Sequence, residues 1–156
     1  MSDGRWQDVL ASVESAERHL AEAVALFNEG GLEGRGREAY RRQMAFMHSM
    51  AAGYTSLEVA LLRCLSILDE AKPSGDDWHA QLLQRVARPA PGLRPAILSA
   101  DAVRLARKLK SFRHWSLHSY DDDFAPPEAS IAVEATKLLL PQLRASFERF
   151  IAEIDP

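Results

Sequence analysis

The stretch SFRHWSLHSYDDDF, residues 111–124, holds the side chains of this sequence that are best suited to chemistry on a phosphate. Arg113 is followed after four residues by His118, and Tyr120 comes two positions later. Histidine titrates near neutral pH and can carry a proton, while the planar guanidinium of arginine matches two phosphate oxygens at once. These residue types suit the cleavage of a phosphodiester without a metal or another cofactor.

RNA is the phosphodiester that fits such a pair, because it carries its own nucleophile. The 2′-hydroxyl attacks the adjacent phosphorus when a base takes its proton, and the leaving 5′-oxygen needs a proton from an acid. Arg113 would stabilise the negative charge of the five-coordinate phosphorus, and His118 would carry a proton. His114 is a candidate second proton carrier, although a stacking or capping role fits it as well. Since one chain offers one clear proton carrier, a two-fold dimer would supply the second set across a shared groove.

The same residues also have other interpretations. An arginine that caps a helix end and a histidine bonded to a backbone carbonyl would look the same in the sequence, so both interpretations are open from residue types alone. His114 and His118, with Asp121 to Asp123 nearby, could instead bind a divalent ion. Histidine pairs four residues apart are common by accident, and we therefore predict no metal site.

Basic side chains are concentrated just before and within this stretch. Residues 81–115 carry eight arginines and lysines and one acid, whereas the whole chain has a net charge of −3. A basic block in an acidic protein can form a local positive surface that attracts phosphate, although a solvated helix face gives the same pattern. The candidate RNA-binding residues in this block are Arg104, Arg107, Lys108 and Lys110.

Apolar residues at three- and four-residue steps predict that helices position these side chains. The predicted helices cover about residues 4–28, 37–70, 78–86, 100–112 and 126–154. Ser99 is expected to cap the fourth helix, and Pro141 to kink the last one or to remove one of its hydrogen bonds. No segment alternates as a strand does. The expected fold is therefore all-α, a four- to five-helix up-down bundle that forms a single domain over residues 1–156.

The end of the fourth predicted helix decides whether Arg113 and His118 can meet. In a continuous helix, five residues at about 100° each would place them about 140° apart. A helix that ends near Trp115 would instead allow the following turn to bring His118 back towards Arg113. Ser116, Ser119 and Asp121 are suitable residues for such a turn.

Glu58 occupies a position in the second predicted helix where its apolar seam requires an apolar residue. A buried carboxylate must be paired, hydrogen-bonded or close to a wet cleft. Glu58 could pair with Arg113 or His118 across the bundle, or form a purely structural pair with another basic residue. Among its neighbours, Trp78 is expected in the core and His79 at the surface. Cys64 lies on an apolar face and is expected to be inert packing.

The N-terminus, the apolar runs and the cysteine content indicate where in the cell the protein is found. The N-terminus shows no signal-peptide pattern, and no run of about 18 apolar residues indicates a membrane span. The single cysteine, Cys64, fits a reducing compartment. We therefore expect a cytoplasmic protein with no membrane partner.

The spacing of Arg113, His118 and Tyr120 resembles the Rx4HxY motif of HEPN-domain ribonucleases, in particular the HepT-like group. The resemblance covers about Tyr40 to Phe124. Within that region the segments YTSLE, WHAQLL, RPAIL and FRHWSLHSY follow one another in the order expected of HepT-like sequences.

This resemblance implies a metal-independent endoribonuclease toxin that forms a homodimer, with Arg113 and His118 facing RNA at the dimer cleft. It also implies a partner, a minimal nucleotidyltransferase antitoxin that adds AMP to Tyr120. A bulky anionic group there would fill the phosphate site with like charge. The alternative is a non-catalytic HEPN module that binds nucleotide, RNA or a partner protein. The negative charges of Asp121 to Asp123 beside the phosphate site favour that alternative.

Overall fold

Five helices account for most of the residues that the computed structural model describes, which are 4–118, 124 and 126–156. These described residues include no strand, and a single isolated bridge pairs Ala90 with Arg94. The expected all-α fold is therefore confirmed. The helices are α1 (Gly4–Glu29), α2 (Arg37–Ile67), α3 (Trp78–Val86), α4 (Ala100–His118) and α5 (Pro126–Ile154).

The four long helices pack in a ring, and the short helix α3 lies on one side of it. Helix α1 packs between α2 and α5, while α4 closes the ring by contacting both of these helices. Helix α3 packs against α2 and α4. Their apolar faces meet in one buried cluster that includes Trp6, Tyr54, Phe46 and Phe147. This arrangement places side chains of α2, α3 and α4 next to one another, outside the centre of the ring.

Helices α1 and α2 approach each other closely at Gly53. A Cβ atom at this position would lie 2.6 Å from both Cγ and Cδ2 of Leu20, and 3.3 Å from its backbone nitrogen. Real Cβ atoms do not come that close to carbon atoms, so only glycine allows the two helices to pack at this distance. The close contact fixes the position of α2, and with it the position of Glu58 five residues further on.

Helix α2 ends at Ile67, three residues before the predicted end at Glu70. The amide of Glu70 donates to the carbonyl of Leu65 at 2.9 Å, and the amide of Asp69 donates to Ser66 at 3.1 Å. Asp69 adopts a left-handed backbone conformation, with φ of 54°. This hydrogen-bond pattern is the Schellman motif, which closes a helix and turns the chain away from its axis.

Arg94 ties the connector between α3 and α4 to the end of α2. Its side chain is buried, and its Nε and Nη2 atoms donate to the two carboxylate oxygens of Glu70 at 2.6 and 3.0 Å. Nη1 also donates to the carbonyls of Arg88 and Pro95. A buried arginine with this many acceptors is structural, so Arg94 does not contribute its charge to a phosphate-binding surface.

Helix α4 begins as predicted and ends later than predicted. The Ser99 hydroxyl accepts a hydrogen bond from the amide of Ala102 at 3.0 Å, which confirms Ser99 as the cap. The helix was expected to end near Phe112, but it continues to His118, and that expectation is wrong. Residues 113–118 contain neither glycine nor proline, and nothing in their sequence breaks a helix.

An aromatic cluster supports the additional turns of α4. Trp115 packs on Phe112 with ring centroids 5.4 Å apart, and it meets Phe124 edge-on at 6.4 Å. Phe46 of α2 contacts both Phe112 and Phe124. Because aromatic pairs stabilise packing beyond the area they bury, this cluster holds the second half of α4 against the bundle.

Two further features concern the long helices. Helix α5 continues through Pro141 to Ile154, although proline cannot donate the hydrogen bond that the helix would need at that position. Helix α2 is long and apolar enough to cross a membrane by length and composition alone, and half of its most apolar 18-residue segment is buried inside the bundle. The core helix of a bundle has the same properties.

Candidate functional site

Arg113 and His118 lie on different sides of α4. The Arg113 side chain is 23% exposed and faces Glu58 of α2, whereas His118 is exposed and its ring contacts His114 at a centroid distance of 4.4 Å. Because α4 is continuous, the two positions are rotated by about 140° about the helix axis. The expectation that a turn brings His118 back to Arg113 within one chain is therefore wrong.

His118 belongs to a line of exposed polar residues on α4. These residues follow at alternating steps of three and four, which places them on one face of the helix. We call this face the α4 stripe, and it consists of Arg104, Arg107, Ser111, His114 and His118. Its cationic and titratable side chains point away from the core, so they are available to a phosphate backbone.

The candidate RNA-binding residues are distributed around this stripe. Arg104 forms an exposed ion pair with Asp101 at 2.7 Å, which neutralises part of its charge. Lys110 is half-buried and lies on the same side of α4 as Arg113. Arg107 and Lys108 are exposed at the rim of a groove between α4 and α5. The groove has a volume of about 300 Å³, and its apolar lining is Phe112, Trp115 and Ile131.

Glu58 connects three helices at the other side of α4. Its side chain is 3% exposed, so its charge is removed from water. One carboxylate oxygen lies 2.5 Å from Nδ1 of His79 on α3, and the other lies 3.8 Å from Nη1 of Arg113 on α4. The expected need for a partner is confirmed, and Arg113 is one of the partners that the sequence suggested. We call Glu58, His79 and Arg113 the Glu58 cluster.

Tyr54 lies buried beside the Glu58 cluster, one helical turn before Glu58 on α2. Burial raises the pKa of its hydroxyl well above the ordinary value, and the negative charge of Glu58 raises it further, while Arg113 acts in the opposite direction. Tyr54 therefore remains a neutral phenol at physiological pH.

His79 is the residue of this cluster that sequence reasoning did not find. It was expected at the surface, but its side chain is 30% exposed and its ring stacks on Trp78 at 3.7 Å. Trp78 is partly buried against the core. The expectation for His79 was wrong because the apolar periodicity of a nine-residue helix does not reveal a carboxylate partner 21 positions earlier.

Some predicted features lie outside the described residues. Tyr120 and Asp121 to Asp123 are among them, so modification of Tyr120 and a metal site at the aspartates stay untested. Within the described part of the chain, no three histidine, cysteine or acidic residues are close enough together to hold a metal. Cys64 is fully buried, and burial raises the pKa of its thiol to about 12, which agrees with its interpretation as inert packing.

A comparison with protein families bears directly on these residues. The model of a family described as HepT-like protein matches residues 45–154, about 70% of the chain. The chain belongs to the HepT-like family. No curated protein and no solved structure was found to match it. In this HepT-like protein the matched region contains the whole Glu58 cluster and the α4 stripe, and it includes most of the segment over which the sequence resembled the family.

Proposed function

We propose that this HepT-like protein is an endoribonuclease toxin that cleaves RNA without a metal, through attack by the 2′-hydroxyl. The observation that carries the proposal is the position of Arg113. In a member of the HepT-like family, this first residue of the Rx4HxY pattern is held at the edge of α4 by the buried carboxylate of Glu58. Its guanidinium faces this carboxylate at 3.8 Å and is 23% exposed, which suits it to phosphate binding.

Arg113 is suited to stabilise the transition state. When the 2′-oxygen attacks, the phosphorus becomes five-coordinate and its oxygens gain negative charge. A guanidinium that already faces Glu58 needs little reorganisation to meet that charge, and its N–H groups that have no partner among the described residues can reach phosphate oxygens. Glu58 thus keeps Arg113 in place before the substrate arrives.

His118 is suited to proton transfer from the exposed side of α4. Within one chain it points away from Arg113, so the two would meet only if another molecule contributed one of them. We therefore propose a two-fold dimer that places His118 of one copy across the RNA from Arg113 of the other. The α4 stripe would follow the RNA backbone, because Arg104 and Arg107 are exposed along the same face as His118.

The proposed cellular setting follows from the family. A minimal nucleotidyltransferase antitoxin would neutralise the enzyme in the cytoplasm by adding AMP to Tyr120. In the sequence, that residue comes two positions after His118. The added phosphate would carry negative charge to the place where the RNA phosphate binds, and it would compete with the substrate.

Cleavage of RNA in the presence of EDTA tests this function. We expect Arg113→Ala and His118→Ala each to reduce the cleavage rate by roughly 10²–10⁴-fold, because each removes charge stabilisation or proton transfer. The matched controls are Arg41→Ala and His48→Ala, which alter exposed residues of α2 away from the site. Circular dichroism would confirm that all four variants are folded. Cleavage at the wild-type rate by both site variants would contradict the assignment.

A second candidate function is a binding module without catalysis. The observation that favours it is that Arg113 and His118 do not converge within one chain. Such a protein would bind RNA through the α4 stripe and would not cleave it. Arg104→Ala and Arg107→Ala would then weaken RNA binding and reduce its dependence on salt, while wild-type protein would leave labelled RNA intact.

A further inference from the structure

The Glu58 cluster contains a histidine that the proposed mechanism does not yet use. His79 lies in the first turn of α3, and its Nδ1 is 2.5 Å from Glu58 Oε2. Glu58 is 3% exposed, and because a carboxylate oxygen accepts hydrogen bonds, the proton of this bond is assigned to Nδ1 of His79. The hydrogen bond therefore fixes the ring orientation and the tautomer of His79.

The other ring nitrogen of His79 is left available. With Nδ1 bound to Glu58, the neutral ring has its lone pair on Nε2. None of the described residues forms a hydrogen bond with Nε2, and 30% of the side chain is exposed. The ring stacks on Trp78 with an interplanar angle of 28°, which limits its rotation. A carboxylate that orients a histidine in this way is the arrangement that hydrolases use to prepare a general base.

His79 and Arg113 face the same carboxylate from two different helices. Their contacts with Glu58 use its two different oxygens, at 2.5 Å and 3.8 Å. A phosphate bound by Arg113 would therefore lie beside the imidazole of His79. His118, in contrast, is on the opposite side of α4 in the same chain. Of the described histidines, His79 is the one that shares a partner with Arg113.

We propose that His79 is a second catalytic residue, which acts as the general base, and that Glu58 is its positioning residue. This inference rests on the proposed ribonuclease function. Nε2 takes the proton of the 2′-hydroxyl as the 2′-oxygen forms its bond to phosphorus. The bond from phosphorus to the 5′-oxygen breaks, and that oxygen receives a proton from His118 of a second copy of the chain. The products are a 2′,3′-cyclic phosphate and a 5′-hydroxyl, and water returns both histidines to their starting protonation states.

The substitution His79→Asn separates catalysis from structure. The amide nitrogen of asparagine can donate to Glu58 as Nδ1 does, so the pairing of the buried carboxylate is kept. Asparagine has no atom that can replace Nε2 as a base. We expect the variant to fold, and its cleavage rate in EDTA to fall by roughly 10²–10⁴-fold with RNA affinity changed less than about threefold. His48→Asn, on the exposed face of α2, is the matched control.

The pH–rate profile gives a readout that a structural role would not change. In the wild type, the acid limb of the profile reports the need for a deprotonated base. The charged group that contacts His79 is Glu58 of α2, and Tyr54 of α2 and Arg113 of α4 lie beside that carboxylate. We expect His79→Asn to lose this limb. We also expect added imidazole to restore part of the activity of His79→Ala, since free imidazole can accept the proton.

The outcomes separate this inference from the proposed function. If wild-type protein cleaves RNA and Arg113→Ala does not, while folded His79→Asn cleaves at the wild-type rate, the role of His79 is overturned and the function stands. If wild-type protein does not cleave RNA, both are overturned. If His79→Asn does not fold, two other measurements decide whether His79 is the base. They are the rescue of His79→Ala by imidazole and the acid limb of the wild-type pH–rate profile. If imidazole does not restore activity and the wild-type profile has no acid limb, the role of His79 is overturned.

Discussion

Single residues determine the charge arrangement at the site, and Glu58 is the most important of them. It is almost fully buried, and its two oxygens face a histidine and an arginine from different helices. Because an unpaired buried charge is costly, the carboxylate favours conformations in which His79 and Arg113 both approach it. The orientation of both side chains therefore depends on one residue of α2.

Part of this site could be predicted from the sequence. Glu58 was visible because it interrupts an apolar seam, and Arg113 and His118 were visible from their spacing in a family pattern. His79 was not, because periodicity predicts which side of a helix is buried and does not identify a partner on another helix. Because each residue of a helix is rotated by about 100°, the separation of Arg113 and His118 could be calculated once the end of α4 was known.

Cys64 allows a test of burial at the residue scale. Its thiol is fully buried, and burial raises its pKa to about 12, so very little thiolate forms at about pH 8. We expect a thiol-specific reagent such as Ellman's reagent to leave Cys64 unmodified in the native protein and to modify it completely in denaturant. The absorbance of the released thiolate measures both reactions. Rapid modification of the folded protein would contradict the packing described for α2.

At the scale of helices, the boundaries decide which side chains can meet. The order and type of all five helices could be predicted, because each has an apolar stripe and several have recognisable caps or breakers. The end of α4 could not be predicted in the same way. Residues 113–118 contain no helix breaker, so the sequence permits these turns, and the contacts of Trp115 with Phe112 and Phe124, which come from tertiary packing, stabilise them. Those turns separate His118 from Arg113.

The contact between α1 and α2 gives a prediction about stability. In Gly53→Ala, the new Cβ would lie 2.6 Å from side-chain atoms of Leu20, and the Leu20 backbone limits how far they can move. Overpacking of a core costs about 1–3 kcal/mol, which exceeds the gain of up to about 1 kcal/mol from alanine in a helix. We expect the free energy of unfolding in urea to fall by about 1–2 kcal/mol.

Gly4→Ala is the matched control for this prediction. Gly4 also lies in a helix, and a Cβ atom at this position would have no neighbour within 4 Å. The stability of Gly4→Ala should therefore equal that of the wild type or be slightly higher. If Gly53→Ala proved as stable as Gly4→Ala, the close approach of α1 and α2 would be wrong.

At the scale of the whole molecule, charge is distributed unevenly. The chain has a net charge of −3, but the α4 stripe presents Arg104, Arg107 and two histidines on one exposed face. An acidic protein with a local basic face attracts phosphate at that face and repels it elsewhere, which directs RNA towards α4. The Glu58 cluster lies on the other side of the same helix. A two-fold dimer would allow the stripe of one copy and the cluster of the other to line a single RNA-binding groove.

The chemical ends of the RNA products test the central claim most directly. Wild-type protein in EDTA would be incubated with a labelled RNA and with a matched oligonucleotide that lacks the 2′-hydroxyl at the cleaved position. We expect cleavage of the RNA alone, with a 2′,3′-cyclic phosphate on one product and a 5′-hydroxyl on the other, because the 2′-oxygen is the nucleophile. Cleavage of the oligonucleotide without that hydroxyl, or products that carry a 5′-phosphate, would contradict it.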